Sequence, residues 1–326
     1  MASQSATNRP EGSATAFDWA LFLILVIVGG SSFAMIRGAL DSVPPAVVTV
    51  ARLWVGAIFL YAIMKQAGRK FPPLFISESN RTALQEEWRW MLAVSVIGYI
   101  FPFFVFPWAQ QFVESGLAGV YMAFMPIWTV VLAYFFAGET LGSRKIVGIG
   151  LGFAGVMILL GPEVIDGIGR SGVLAQVMIL LATVCYAAAA VIARRAPPIR
   201  PRVFATGTLL CAAVLSTPAL FLTDLKTDQW TLAGVANVIL LGLGPTGLAG
   251  ILLIILIQRV GAGFMGLANY VTPVWAVILG AVLFQERLEA TVFLALAVIL
   301  AGVAISQRRA RKDATLAPDV SAQTKI

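Results

Sequence analysis

The stretch MPIWTVVLAYFFAGETLG, residues 125–142, reappears as TPVWAVILGAVLFQERLE, residues 272–289, and the two align without a gap at an offset of 147. In that register Pro126 meets Pro273, Trp128 meets Trp275, Val130 meets Val277, Leu132 meets Leu279, Glu139 meets Glu286 and Leu141 meets Leu288. The same offset pairs Gln111 with Gln258, Gly119 with Gly266, and Gly155–Val156 with Gly302–Val303. Agreement over so long a register points to an internal duplication, which has to be recognised before a fold is assigned.

Both copies are too apolar for water. Of 326 residues, 59% are hydrophobic and 12% charged, with a mean hydropathy of +0.89; soluble domains are about a quarter charged. The apolar residues fall into ten blocks, at roughly 18–37, 46–65, 90–108, 115–137, 143–161, 171–192, 203–222, 232–257, 262–284 and 290–307. Most are long enough to cross a hydrocarbon layer as a helix. Each copy holds five, an odd number, so the second copy must enter the membrane from the opposite side. The predicted fold is an all-α integral membrane protein with ten transmembrane helices arranged as two inverted five-helix repeats. The expected units are a disordered cytoplasmic tail at 1–17, repeats at 18–161 and 171–307, and a basic cytoplasmic tail at 308–326. The first block reads as an uncleaved span rather than a signal peptide.

Ten spans place both termini on one side, and the basic residues choose it. With the N-terminus inside, 18 of the 23 Lys and Arg residues fall in internal segments, whereas Arg170, Lys226 and Arg287 are external and Arg37 and Arg52 lie near or within spans. The expected location is therefore the cell inner (plasma) membrane, multi-pass, with both termini cytoplasmic. Trp19, Trp88, Trp90 and Trp230 begin spans and are assigned as interfacial anchors.

Composition also excludes chemistry. A net charge of +7 spread over short loops is a topology signal rather than a nucleic-acid footprint. Histidine is absent, which removes the commonest metal ligand and general base. Cys185 and Cys211 lie inside apolar blocks as small buried side chains. No metal, cofactor or catalytic residue is expected, and no enzymatic activity.

The pattern Pro-x-Trp…Glu-x-Leu that closes the fourth and ninth spans, with the opening stretch GGSSFAMIRGALDSVPPAVVTVARLWVGAIFLY (residues 29–61), resembles the drug/metabolite transporter superfamily in its ten-helix EamA-type branch. The resemblance covers residues 18–307. It implies transport of small molecules, and its members include exporters of amino acids and other metabolites. The aromatic content here is similar to that of the amino-acid exporters.

Candidate site residues follow from depth and polarity. A phenol, indole or amide facing lipid would go unsatisfied, so such groups turn toward the bundle interior. The candidates for binding substrate are Tyr99, Phe103, Tyr121, Met122, Trp128, Thr183, Tyr186, Thr246, Asn269 and Trp275, lining an aromatic central cavity. For each of them, ordinary interhelical packing is the competing reading. Pro126, Pro245 and Pro273 are candidate hinges, because a proline frees a backbone carbonyl that needs another partner; a static kink is the alternative. Pro102, Pro107, Gly29–Gly30 and Gly242–Leu243–Gly244 are further helix breakers. Arg37 and Arg52 could each hold a substrate carboxylate, snorkel to the interface or pair with Asp41. The structural reading is placed ahead.

No Asp, Glu, His or Lys stands at mid-depth, which favours a facilitative mechanism over proton coupling. The reading is an inner-membrane exporter of amino acids, aromatic or hydrophobic ones among them, or of similar small metabolites, working by alternating access. The alternatives are an exporter of drugs or other metabolites, or a non-transport membrane protein such as a receptor or a lipid-handling protein. The first to fourth and sixth to ninth helices would surround the cavity, with the fifth and tenth as scaffold. Partners would be a small-molecule substrate and membrane lipids, the chain being a monomer or homodimer. Small residues in the fifth and tenth helices suit close packing, between the two halves or between two protomers.

Overall fold

A computed structural model of the chain describes residues 14–307, apart from 79–80, 138–141, 162–170, 226, 261–263 and 265–266. The expected disordered tails lie, for the greater part, outside the described residues, as does Glu139. Eight long apolar spans run Ala16–Leu40, Pro45–Gln66, Glu86–Ala109, Ser115–Phe136, Ser143–Leu160, Gly172–Arg195, Pro201–Leu222 and Leu232–Val260, and two shorter ones run Ala268–Phe284 and Ala290–Ser306. They form an all-helical membrane bundle. Side chains such as Phe135, Phe136, Val282 and Leu283 stand exposed on its outside, where hydrocarbon is the natural solvent.

Local chemistry sets where the spans start. Thr15 and Asp18 form a reciprocal capping box at the head of the first. Pro45 and Pro201 occupy first-turn positions, where a missing N–H costs nothing. The end of the bundle where the first span starts is here called the near face, and the opposite end the far face. At the near face Asp18 also accepts from Arg259 Nε at 2.5 Å, tying the start of the first span to the end of the eighth. At the far face the Glu286 carboxylate accepts from Ser115 N (2.8 Å), Ser115 Oγ (2.6 Å) and Gly116 N (2.8 Å), so the loop after the ninth span caps the fourth.

The fifth and tenth spans pack on each other. A Cβ on Gly148 would lie 2.5 Å from Gly302 O, and one on Gly155 would lie 2.6 Å from Ile299 Cγ1. The small residues therefore join the two halves of one chain. Between the second and third spans, Phe75–Glu78 and Arg81–Leu84 pair as an antiparallel hairpin that the sequence did not announce. Trp88 departs from its anchor reading: it is buried against Phe71 and Met91, and its Nε1 donates to Pro72 O.

Five of the described spans are not plain α-helices, the seventh passing from α-helix over Pro201–Ser216 to a 3-10 turn over Thr217–Leu222. The first breaks at Ser31, between Ala16–Gly30 and Ser32–Leu40. The third runs Glu86–Ser95 as α-helix, widens to a π-helical turn over Val96–Ile100, and resumes as Phe101–Ala109. The eighth repeats this, with Leu232–Leu241, a π-helical stretch over Gly242–Leu248, and Ala249–Val260. At the offset of 147, residues 96–100 map onto 243–247, so the two widened turns are copies of one feature. The fourth span splits into Ser115–Met122 and Met125–Ala137.

Candidate functional site

The widened turns bring together a group of side chains deep in the bundle. Pro107 has no N–H, so the carbonyl of Phe103, four residues earlier, loses its helical donor. Thr49 of the second span supplies one instead, its hydroxyl lying 2.7 Å from Phe103 O. Pro245 likewise frees the carbonyl of Leu241, and the Thr246 hydroxyl donates to it at 2.9 Å. That hydroxyl keeps its acceptor lone pairs, and Arg52 makes use of them. The guanidinium donates to Thr246 Oγ1 from Nε at 3.3 Å and from Nη2 at 3.2 Å. Its flat face rests on the Phe103 ring, 3.9 Å from the centroid. Tyr99 packs against Phe103 with ring centroids 5.3 Å apart. Tyr186 lies within electrostatic reach of the guanidinium and stacks on Phe106 at 6.2 Å.

Small residues let the backbones close around this group. A Cβ on Gly56 would meet Thr246 Cγ2 at 2.8 Å, and one on Gly242 would meet Val55 Cβ at 2.6 Å, so the eighth span's π turn lies flush on the second span. Gly98, in the third span's π turn, faces Ala189 of the sixth at 2.6 Å in the same sense. Arg52 is left only 5% exposed. Among the described residues no carboxylate pairs with it.

Four of the sequence candidates, Tyr99, Phe103, Tyr186 and Thr246, therefore converge on one group. The remainder are dispersed. Tyr121 is fully buried and its hydroxyl donates to Gln176 Oε1 at 2.5 Å. Met122 packs in the same apolar cluster as Tyr121 and Tyr186. The Thr183 hydroxyl, one turn from Tyr186, donates to Leu180 O at 2.7 Å. Trp128 sits edge-on to Phe124 and Phe153, beside the fifth span, and its buried Nε1 has no partner among the described residues. Trp275 Nε1 donates to Ser31 Oγ at 3.1 Å, at the break in the first span. Asn269 is half-buried near the start of the ninth. Of the candidate hinges, Pro126 follows the break in the fourth span, Pro245 lies in the π stretch of the eighth, and Pro273 lies within an unbroken helix.

Arg52, which the sequence reading kept apart from the binding candidates, stands at the centre of this group. A signal was present: Pro107 and Pro245 each strand a carbonyl, and threonines stand ready to meet them. Nothing in the sequence, however, places Thr246 against a residue 194 positions away.

A second feature opens at the far face. A cleft of about 470 Å³ is lined by Arg37, Gln110, Gln111, Glu114, Glu286 and Arg287, among others. Burial raises the pKa of the Glu114 carboxyl above its ordinary value, and the charge of Glu286 adds to the effect.

Chemically, the deep group offers cationic N–H donors beside an aromatic surface. That combination suits a small molecule with an anionic end and an apolar body.

Comparison with known proteins places these features in context. Residues 18–161 and 173–307 each match the EamA-like transporter family, one match per repeat. The chain is 29% identical to the uncharacterized inner membrane transporter YedA of Escherichia coli (strain K12), over 86% of this chain and 87% of that protein. It is 24% identical to the aromatic amino acid exporter YddG of Ancylobacter novellus, over 86% of this chain and 94% of that one. A solved crystal structure with 19% identity superposes with a TM-score of 0.62, covering 90% of this chain and 98% of the other.

Proposed function

The chain belongs to the EamA-like transporter family, and from that premise we propose that it exports amino acids, or small metabolites like them, by facilitated alternating access. The observation that carries this reading is the copied π turn. The third and eighth spans each carry one, and between them they enclose Arg52, Phe103, Tyr99, Tyr186 and Thr246. A π turn is a local fault in the helix, frequent at functional sites. Two such faults related by an inverted repeat put interrupted helices at the repeat interface, where carriers of this architecture bind substrate. The 24% identity to an aromatic amino acid exporter supports the substrate class, as do the rings around Arg52. The bias of basic residues supports a near face on the cytoplasmic side. The lack of any acidic, His or Lys side chain at mid-depth supports transport without a proton relay.

The test is efflux from proteoliposomes loaded with a mixed amino-acid pool, with and without a pH gradient. Selective efflux of some amino acids at equal rates under both conditions is the expected result. Efflux only with a gradient removes the facilitative part. If no amino acid leaves but a drug or another metabolite does, the substrate class is wrong and transport stands.

A further inference from the structure

We propose that Arg52 is the receptor for a carboxylate on the transported molecule, holding it edge-on at the level of the two π turns. The proposal rests on the transport reading above and specifies the ligand class of that same site.

Desolvation comes first in the argument. Arg52 stands seven residues into the second span, about 10 Å along the helix from Pro45. Removing a guanidinium from water at that depth costs several kcal/mol. What the protein supplies in return is neutral: one aromatic face and one hydroxyl shared between two donors. An apolar side chain of similar volume would hold the same helices at least as well, because replacing buried charge by packed hydrocarbon is often neutral or stabilising. Stability alone therefore gives no reason for an arginine here.

Geometry supplies the reason. A guanidinium carries five N–H groups in a planar fork. Phe103 takes its face and Thr246 takes one N–H from Nε and one from Nη2. Three N–H groups remain, and among the described residues no acceptor is recorded for them. A carboxylate accepts two parallel N–H bonds in the plane of the fork, and the N–H groups left without an acceptor lie in that plane. Thr246 is itself held by donating to Leu241 O, so the fork is fixed in place before a ligand arrives. Tyr99, Phe103 and Tyr186 then offer ring surface to the rest of the molecule.

The charge balance also couples binding to the cycle. A buried, uncompensated guanidinium resists enclosure, whereas a neutralised pair can be enclosed. Closing the bundle around Arg52 is therefore easier with a carboxylate bound, which is the preference a carrier needs if it is to cross over loaded.

The experiment uses the full chain in proteoliposomes. Vesicles are loaded with the amino acids and a set of small mono- and dicarboxylates, each beside its methyl ester or amide, and efflux is followed for wild-type, Arg52→Lys and Arg52→Gln. The expected result is that acids leave about ten- to hundredfold faster than their esters or amides, the range of a charge-assisted hydrogen-bond pair. Arg52→Gln should lose that preference and Arg52→Lys should keep part of it. The acid-to-ester ratio is read on wild-type alone, so it decides the matter even if a variant fails to insert. Esters or amides leaving as fast as acids would overturn the assignment, as would an unchanged ratio in an inserted Arg52→Gln. If esters or amides move and no acid does, the carboxylate receptor falls while transport survives. If nothing in the set moves, the export reading falls with it.

Discussion

The two halves of the chain agree at one pair of spans and disagree at another. The third and eighth spans carry the same interruption at the same register, a π turn over Val96–Ile100 and another over Gly242–Leu248. The fourth and ninth carry the same prolines, yet their backbones differ. In the fourth, the helix stops at Met122 and restarts at Met125, the gap bridged by short bonds from Ala123 N to Val120 O and from Phe124 N to Tyr121 O. The matching residues of the ninth, Tyr270 and Val271, lie in the first turn of the helix Ala268–Phe284, where Tyr270 N keeps the matching short bond to Leu267 O but Val271 N reaches back four residues to the same carbonyl. A chain with inverted symmetry that faced neither way would show the two halves alike. One that favours a direction must be asymmetric somewhere, and one such asymmetry sits at the matched prolines, beside the break at Ser31 that the sixth span lacks. On the proposed cycle the fourth and ninth spans are the parts that trade conformations, within a frame that includes the third and eighth.

Reversing that trade should give the largest effect. Pro273 inside a continuous helix leaves Asn269 O without its usual donor, a defect worth about 3 kcal/mol. Pro126, near the start of a helical segment, carries little such penalty in the state described. Pro273→Ala should therefore favour the described state, and Pro126→Ala should favour the opposite one, by healing the break in the fourth span. Each shift could reach about a hundredfold in population. Amide exchange in nanodiscs reads it directly: Pro273→Ala should slow exchange within 268–276, and Pro126→Ala within 120–128. Both variants should export more slowly, since a cycle needs both states. Protection moving in the same helix for both variants would break the comparison.

The latch at the far face comes next. Glu286 holds the N-terminus of the fourth span through three donors, two of them backbone N–H groups. Replacing the carboxylate with an amide removes the charge and one acceptor, a loss of about 1–2 kcal/mol. In Glu286→Gln, a cysteine placed at the buried Ala118, with Cys185 and Cys211 replaced, should react about tenfold faster with an impermeant thiol reagent applied at the far face. Unchanged labelling would reduce Glu286 to an ordinary cap.

Much of this was legible in the sequence, for a physical reason. Span length, inversion and the stranded carbonyls follow from covalent facts: a helix has a fixed rise, five is odd, and proline has no N–H. What escaped depends on which partner the fold delivers. Trp128 and Trp275 are equivalent in sequence, yet one indole N–H is buried without a partner among the described residues and the other donates to Ser31. The surroundings of Arg52 come from three other spans, which no spacing in the sequence brings together. The π turns add one residue to a turn and leave no compositional mark beyond the glycines and prolines nearby. The split between the fourth and ninth spans could not be read at all, because matched residues adopt different forms.

The smallest expected effect tests whether the far face differs from the near one in its response to pH. Glu114 and Glu286 stand together at the far-face cleft. At the offset of 147, the position matching Glu114 is Gly261, so the second copy lacks the second acid. Burial first, and the charge of Glu286 second, raise the Glu114 pKa from its ordinary 4.5. An acid whose pKa is raised by folding binds its proton more tightly in the folded state. Its contribution is therefore most favourable below the ordinary value and is lost as pH climbs through the raised one. Glu114→Gln has no such proton to lose. Its thermal stability in detergent should gain on wild-type as pH rises from below the ordinary 4.5 and through the raised value, as the wild-type carboxyl is forced to ionise. Glu286→Gln should shrink that gain, by removing the second cause. A gap that stays constant, or widens toward acid, would show that the acid pair is not coupled, and the far face would then differ from the near one only in its latch.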